Sequence, residues 1–221
     1  MTLRLDLDAI EGALVCVERE WPWINAQLQI LKIGGRAPFT AIVRRNMLSA
    51  YEYLDDLLTQ DIEPFSDVGM DHMLVLNERI HYGNDRPFAA QFASAIDITV
   101  DRFNTSVEPI ADWYWQRRRR GDHPNRLAAE TYVSIVGQPQ LFIEGNHRTA
   151  ALIGSWIDLR ADYPPLVLSV ENSVAYFMLS AEIKQFADRS TWRGRRRLPR
   201  YRKSFMEFWR AHVDLKYCRA G

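Results

Sequence analysis

Apolar residues recur along this chain mostly at three- and four-residue spacing, a pattern that predicts helices and few strands. From Asp8 to Glu20 the residues Ile10, Leu14, Val15 and Cys16 fall on one side, and Trp21-Pro22-Trp23 is expected to break or bend this first helix. A second helix is predicted from about Pro38 to Thr59, where Phe39, Ile42, Val43, Met47, Tyr51, Leu54 and Leu58 repeat at helical spacing. The stretch from Asp61 to Asp67 reads as a connection, and it sets a boundary between an N-terminal helical region, 1–63, and a second unit, 64–221.

Beyond that boundary a helix is expected from about Asp67 to Tyr82, stopped by Gly83-Asn84-Asp85. Between Arg86 and Asn104 the period changes: Ile96, Ile98 and Val100 alternate with Asp97, Thr99 and Asp101, which suggests a short exposed strand. Helices follow over Val107 to Arg119, Asn125 to Val136, His147 to Leu159, Ser173 to Phe186 and Tyr201 to Val213, with a short apolar run, Leu166 to Val170, after Pro164-Pro165. Trp113 and Trp115 cannot share one side of a helix, so at least one is expected to be exposed or at an interface.

With 221 residues, 47% of them hydrophobic, the chain can bury one sizeable core, and the reading adopted is one domain with an appended helical piece. The 28 basic and 28 acidic residues balance, so charge exerts no global pull towards nucleic acid or membrane. No apolar run approaches a membrane span and the start lacks the order of a secretory signal, so a soluble, cytoplasmic protein is expected. Cys16 and Cys218 read as unpaired thiols, and the 5 histidines show no zinc spacing. Arg117 to Arg120 reads as a solvated helix end favoured by the dipole. The basic segment Arg193 to Lys203, with Trp192 and Tyr201 interleaved, has the alternation of an acid-binding surface, but the neutral total charge disfavours a nucleic-acid partner, and a loop ordered by acidic neighbours is expected.

The chemistry concentrates in Gln140-Leu141-Phe142-Ile143-Glu144-Gly145-Asn146-His147-Arg148-Thr149. Gly145 can take backbone angles closed to other residues and Asn146 is a preferred N-cap, so the next helix would present its first N–H groups to a ligand. Those groups and the helix dipole favour phosphate. Arg148 adds a forked cation, and Glu144 a carboxylate of the kind that holds magnesium beside substrate phosphates, so a nucleotide or other diphosphate is the expected ligand. Phe142 is expected to anchor the loop in the core. His147 is either a substitute base or phosphate donor, or a partly exposed first-turn residue.

The run from Phe142 to Arg148 resembles the Fic/Doc (Fido) family, whose motif is His-x-Phe-x-(Asp/Glu)-Gly-Asn-x-Arg and whose members mostly transfer AMP from ATP to a protein hydroxyl. The similarity extends upstream through His123-Pro124 and Leu127 to Val136, and further back to Leu76 to His81, covering roughly Pro64 to Trp209. It implies a mainly α fold: a Fido-like helical bundle with a small β-hairpin flap near the 86–104 segment, preceded by an N-terminal helical extension. It also implies Mg²⁺ on Glu144, the phosphates of ATP or another nucleotide on Gly145, Asn146 and Arg148, and an unidentified protein target. Gln140 stands where the family has its catalytic histidine, and a carboxamide cannot take a proton from an attacking hydroxyl near neutral pH. Gln140 and His147 are therefore the candidate catalytic positions, with transfer slow, altered in donor or absent. His147 stands where the family often has glycine or lysine, and Ala151 where many members carry a second arginine, so fewer phosphate contacts are expected. The alternative is a non-enzymatic binding or regulatory module that reuses the fold. Pairing of a helical face with a second copy leaves no unique pattern, so a homo-oligomer stays open.

Overall fold

The computed structural model describes residues 3–33 and 37–220. In chain order the elements are β1 (Leu3–Leu5), α1 (Leu7–Ile30), α2 (Ala41–Thr59), α3 (Asp67–Tyr82), α4 (Arg86–Ala90), α5 (Ala93–Ser106), α6 (Glu108–Arg119), α7 (Pro124–Val136), α8 (Asn146–Leu159), α9 (Val170–Phe186) and α10 (Trp192–His212), then a 3-10 turn (Leu215–Tyr217) and β2 (Cys218–Ala220). The fold is mainly helical, as the periodicity predicts. Several helix starts follow from single side chains: Asp6 accepts from Ala9 N, Thr40 from Val43 N and Ser66 from Gly69 N, each satisfying one of the amides that a first turn leaves without a partner. Gly83, at φ 63°, ends α3 in a conformation that side-chain-bearing residues avoid.

Two helices form the centre. Every residue of α7 from Leu127 to Val136, and every residue of α8 from Thr149 to Leu159, is buried, the state expected of a helix packed on all sides. These two pack on each other. Around them lie α3 and α2 against α8, and α10, α9 and α6 against α7, while α1 packs on α9 and α2. One hydrophobic cluster runs through all of these layers, from Ile10 of α1 to Trp209 of α10. Where α10 crosses α8, Gly154 provides the clearance: a Cβ there would lie 2.5 Å from the Trp209 ring. Tyr132 of α7 stacks on Phe205 of α10 with ring centroids 4.0 Å apart, extending the contact along the bundle.

Four expectations are corrected. The first helix does not break at Pro22. Ile10, Leu14, Val17, Trp21, Ile24 and Leu28 form one continuous buried stripe, whereas Pro22 faces solvent, so the carbonyl deprived of its amide is left on the wet side. The 96–101 alternation does not make a strand either. Residues 93–106 are helical, with Ile96, Val100 and Phe103 turned towards α3 and the loop before α8, and among the described residues no neighbouring strand offers a ladder. Instead, the small sheet pairs β1 with β2 antiparallel, Leu3 opposite Ala220 and Leu5 opposite Cys218. The basic segment Arg193 to Lys203 is the first half of α10, capped by Thr191 and anchored by buried Tyr201 and Phe205, and not a loop. Finally, neither Trp113 nor Trp115 stands bare. Arg202 lies over Trp113 and Arg118 over Trp115, and the Trp115 indole donates to the Phe65 carbonyl at 2.8 Å. Among the described residues no helix is long and apolar enough to cross a membrane.

Candidate functional site

The nine residues from Gly137 to Gly145 join the two central helices, and they are fastened from several directions. At the start, Gln138 N donates to Ala187 O at 2.8 Å and Arg189 N donates back to Gln138 O at 2.7 Å. Arg102 of α5 donates to the Gln140 carbonyl at 2.8 Å. Phe142 is fully buried and stacks on Phe103, centroids 5.4 Å apart, which is the anchoring role expected of it.

Asn146 does not cap the helix with its side chain. The N-cap is Gly145, in the left-handed region at φ 75°, and the Asn146 carboxamide reaches back to clasp Phe142, accepting from its N–H and donating to its carbonyl, both at 2.8 Å. The reason lies in the direction of the turn. With Gly145 left-handed, Asn146 is already helical and its side chain points under the loop. No side chain caps α8, and its first backbone hydrogen bond is Thr149 N to Gly145 O at 3.0 Å. The turn is pressed against α3: a Cβ on Gly145 would lie 2.4 Å from Ile80 Cδ1 and 2.6 Å from His81 Nε2. Asn77, also on α3, donates to the Glu144 carbonyl at 3.0 Å and to the Thr149 hydroxyl at 2.9 Å.

Gln140, Ile143, Glu144, Gly145, Asn146, His147 and Arg148 line one pocket of about 240 Å³, joined by Lys184 of α9. All the sequence-derived site residues therefore converge. Lys184 was missed, because nothing in its local sequence distinguishes it from any exposed helix lysine; only the packing of α9 brings it to the loop. The Gln140 side chain turns back to α7, donating to Val136 O at 3.3 Å. Glu144 is exposed at the lip. The His147 ring points inward, Nδ1 lying 3.2 Å from the Tyr132 hydroxyl, which in turn is 2.6 Å from Ser180 Oγ; the His147 carbonyl accepts from the Tyr176 hydroxyl at 2.8 Å. Arg148 donates to Ile80 O at 2.9 Å near the C-terminus of α3, where a cation is favoured. Burial lowers the Arg148 pKa from its ordinary value, against the opposing pull of Tyr176 and Glu144. His81, behind Gly145, is also lowered, first by burial and then by the Arg148 charge.

The residues present fit magnesium only in one manner. Among the described residues no group of three His, Cys, Asp or Glu could hold a metal by itself, whereas one exposed carboxylate at the mouth of an anion pocket suits an ion that brings phosphate and water as its other ligands.

No family model matches the chain. The protein adenylyltransferase fic-1 of Caenorhabditis elegans is 30% identical over 163 residues, which cover 67% of this chain and 31% of that protein. The protein adenylyltransferase fic-1 of Caenorhabditis briggsae is 28% identical over 121 residues, 50% of this chain and 23% of that one. The chain thus spans about a third or less of the length of these curated relatives. Among solved structures, a Fic domain containing signaling protein from Bacteroides thetaiotaomicron aligns with a TM-score of 0.49 at 13% identity, over 95% of this chain and 89% of that chain. This helical chain carries a Fic/Doc (Fido)-like domain, and its site loop is the stretch with the family's spacing.

Proposed function

We propose that the loop pocket binds a nucleotide by its phosphates, and that the protein acts as a Fic-type AMP transferase of weakened or altered chemistry. The observation that carries this reading is the start of α8. A left-handed Gly145 leaves the first turn without a side-chain cap, the N–H groups there have no intrahelical acceptor, and Arg148 and Lys184 line the same pocket. Negative charge placed there gains from the dipole, from the backbone donors and from two cations.

In this reading Gly145 and Asn146 contribute backbone donors and Arg148 the charged contact, while Glu144 would hold Mg²⁺ together with the phosphates. The metal, when bound, neutralises phosphate charge. Gln140 lies at the pocket wall where the family's histidine belongs, and its amide can orient a hydroxyl by hydrogen bonding but cannot deprotonate it. His147 is turned towards Tyr132, so imidazole basicity at this helix start faces the protein interior. Both features favour slow transfer to a target hydroxyl.

The test is calorimetric titration with ATP, with and without Mg²⁺, followed by mass analysis of the protein and a co-incubated lysate for added AMP. Magnesium-dependent binding together with weak labelling is expected. Absence of any nucleotide binding would overturn the assignment. Binding with no transfer under any condition would favour the non-enzymatic module.

A further inference from the structure

A second pocket, of about 250 Å³, shares His147 and Arg148 with the loop pocket and lies between α1, α2, α8 and α9, with the exposed Ala37 and Pro38 at its rim. Its walls are overwhelmingly apolar, contributed by Leu14, Trp21, Phe39, Met47, Leu168 and Phe177. Polar residues interrupt them, namely Tyr51, His147, Arg148, Asn172 and Tyr176, and two of these are donors suited to an anion. One is Arg148, which among the described residues forms no ion pair and donates to a neutral carbonyl, that of Ile80. The other is the hydroxyl of Tyr51, a residue only 1% exposed whose oxygen makes no hydrogen bond among the described residues. Tyr51 and Arg148 line the same pocket, together with Tyr176.

We propose that this pocket is a ligand site for a small amphiphilic monoanion, a carboxylate on an aliphatic or aromatic body, with the carboxylate on Arg148 and Tyr51 and the body against the apolar walls. A guanidinium pairs with a planar carboxylate through parallel N–H donors, and the pair strengthens where water is excluded. The Tyr51 hydroxyl, on the wall of the same pocket, supplies one more donor. A polyphosphate does not suit these walls, because several charges would lose hydration against Leu14, Trp21 and Phe177 with one cation to compensate them. The site therefore differs in ligand class from the loop pocket, with which it shares Arg148, so the two ligands would compete for that guanidinium; the inference does not require the loop to bind nucleotide.

The experiment uses octanoate as probe, octan-1-ol as its uncharged match, and calorimetry or saturation-transfer NMR on the full chain. Octanoate should bind the natural protein and bind it more tightly than octan-1-ol. Arg148→Met, which keeps the apolar stem and removes the charge, should weaken octanoate by about tenfold or more while leaving octan-1-ol unaffected. Leu168→Trp, which fills the pocket from a partly exposed wall position, should abolish both. Tyr51→Phe supplies a milder variant should Arg148→Met fail to fold, and it should weaken octanoate selectively. No octanoate binding at millimolar concentration, equal affinity for octan-1-ol, or binding untouched by Leu168→Trp would each overturn the proposal. Binding of ATP enters none of these outcomes.

Discussion

Asn77 of α3 donates to the backbone carbonyl of Glu144 and, from the same nitrogen, to the hydroxyl of Thr149, so one carboxamide ties the last residue before the Gly145 turn to the first turn of α8. The left-handed glycine is held between these two bonds. Asn77→Ala should cost about 1–3 kcal/mol in urea denaturation, because a buried hydroxyl and a part-buried carbonyl lose a donor. It should weaken nucleotide binding as well, by loosening the turn. Gly145→Ala should do more damage, since a methyl group would meet Ile80 and His81 in a backbone conformation that alanine avoids. A folded Gly145→Ala protein with unchanged ATP affinity would show that the turn does not organise the site.

Gln140→His would place an imidazole at the pocket wall and should restore a general base, a role typically worth about 10²–10⁴-fold in rate. Labelling with AMP from radiolabelled ATP is the readout. His147→Ala should be made in both backgrounds, and labelling by Gln140→His is expected to survive it, because the His147 ring engages Tyr132 inside the fold. Strong labelling by the natural protein would instead show that the chain needs no histidine at this position.

Asp158, buried on α8, has its carboxyl pushed up to about 7 by burial, against the Trp209 indole, which donates to it at 2.6 Å and favours the charged form. The folded protein therefore keeps a proton that the unfolded chain releases above about pH 4. This contribution to stability is full below that pH, falls as pH rises towards about 7, and is absent beyond it. Asp158→Asn keeps an acceptor for the Trp209 indole and should flatten the profile, raising the urea midpoint at pH 8 more than at pH 5. An unchanged pH dependence in the variant would remove Asp158 as its source.

Glu130 of α7, only 5% exposed, gathers Arg126 at 2.8 Å, Arg202 at 3.5 Å and Arg117 at 4.0 Å. The arginines remain partly wet, so Glu130→Gln should cost more than a surface pair, about 0–1 kcal/mol, and less than a fully buried one, about 3–5 kcal/mol. Chemical denaturation at low and high salt measures this. Loss of the same stability at both salt concentrations is expected, since the carboxylate itself is shielded from solvent ions.

The helices around the site were legible where local chemistry and burial agree. Ser66 and Gly83 bound α3 at residues that any reader of turns would choose, and the apolar density of Leu127 to Val136 and Thr149 to Leu159 announces two buried helices. Pro22 misled because its cost depends on which face it occupies, and the face is a property of the packed molecule. Ile96, Ile98 and Val100 misled because alternation favours a strand only where another strand is present to pair with it. At the site, residue types and spacing led to the loop, but Asn146 fits two hydrogen-bonding roles and only the φ of Gly145 chooses between them. Asn77 lies in the Leu76 to His81 run of the resemblance, but its bonds to Glu144 and Thr149 come only from packing, and Lys184 carries no signal of its own.

The helical state of residues 93–106 alters what the loop can offer to another protein. A hairpin flap has an edge whose amides and carbonyls can add a strand, so it accepts extended peptide with little regard to side chains. In α5 those same groups are bonded along the helix axis, and the surface presented beside Glu144 is made of Ile98, Thr99 and Ile143. Under the proposed transfer reading, a target protein approaching from this side would be selected by the contour of its folded surface, so an unfolded or excised segment of it should be a far poorer substrate than the intact target.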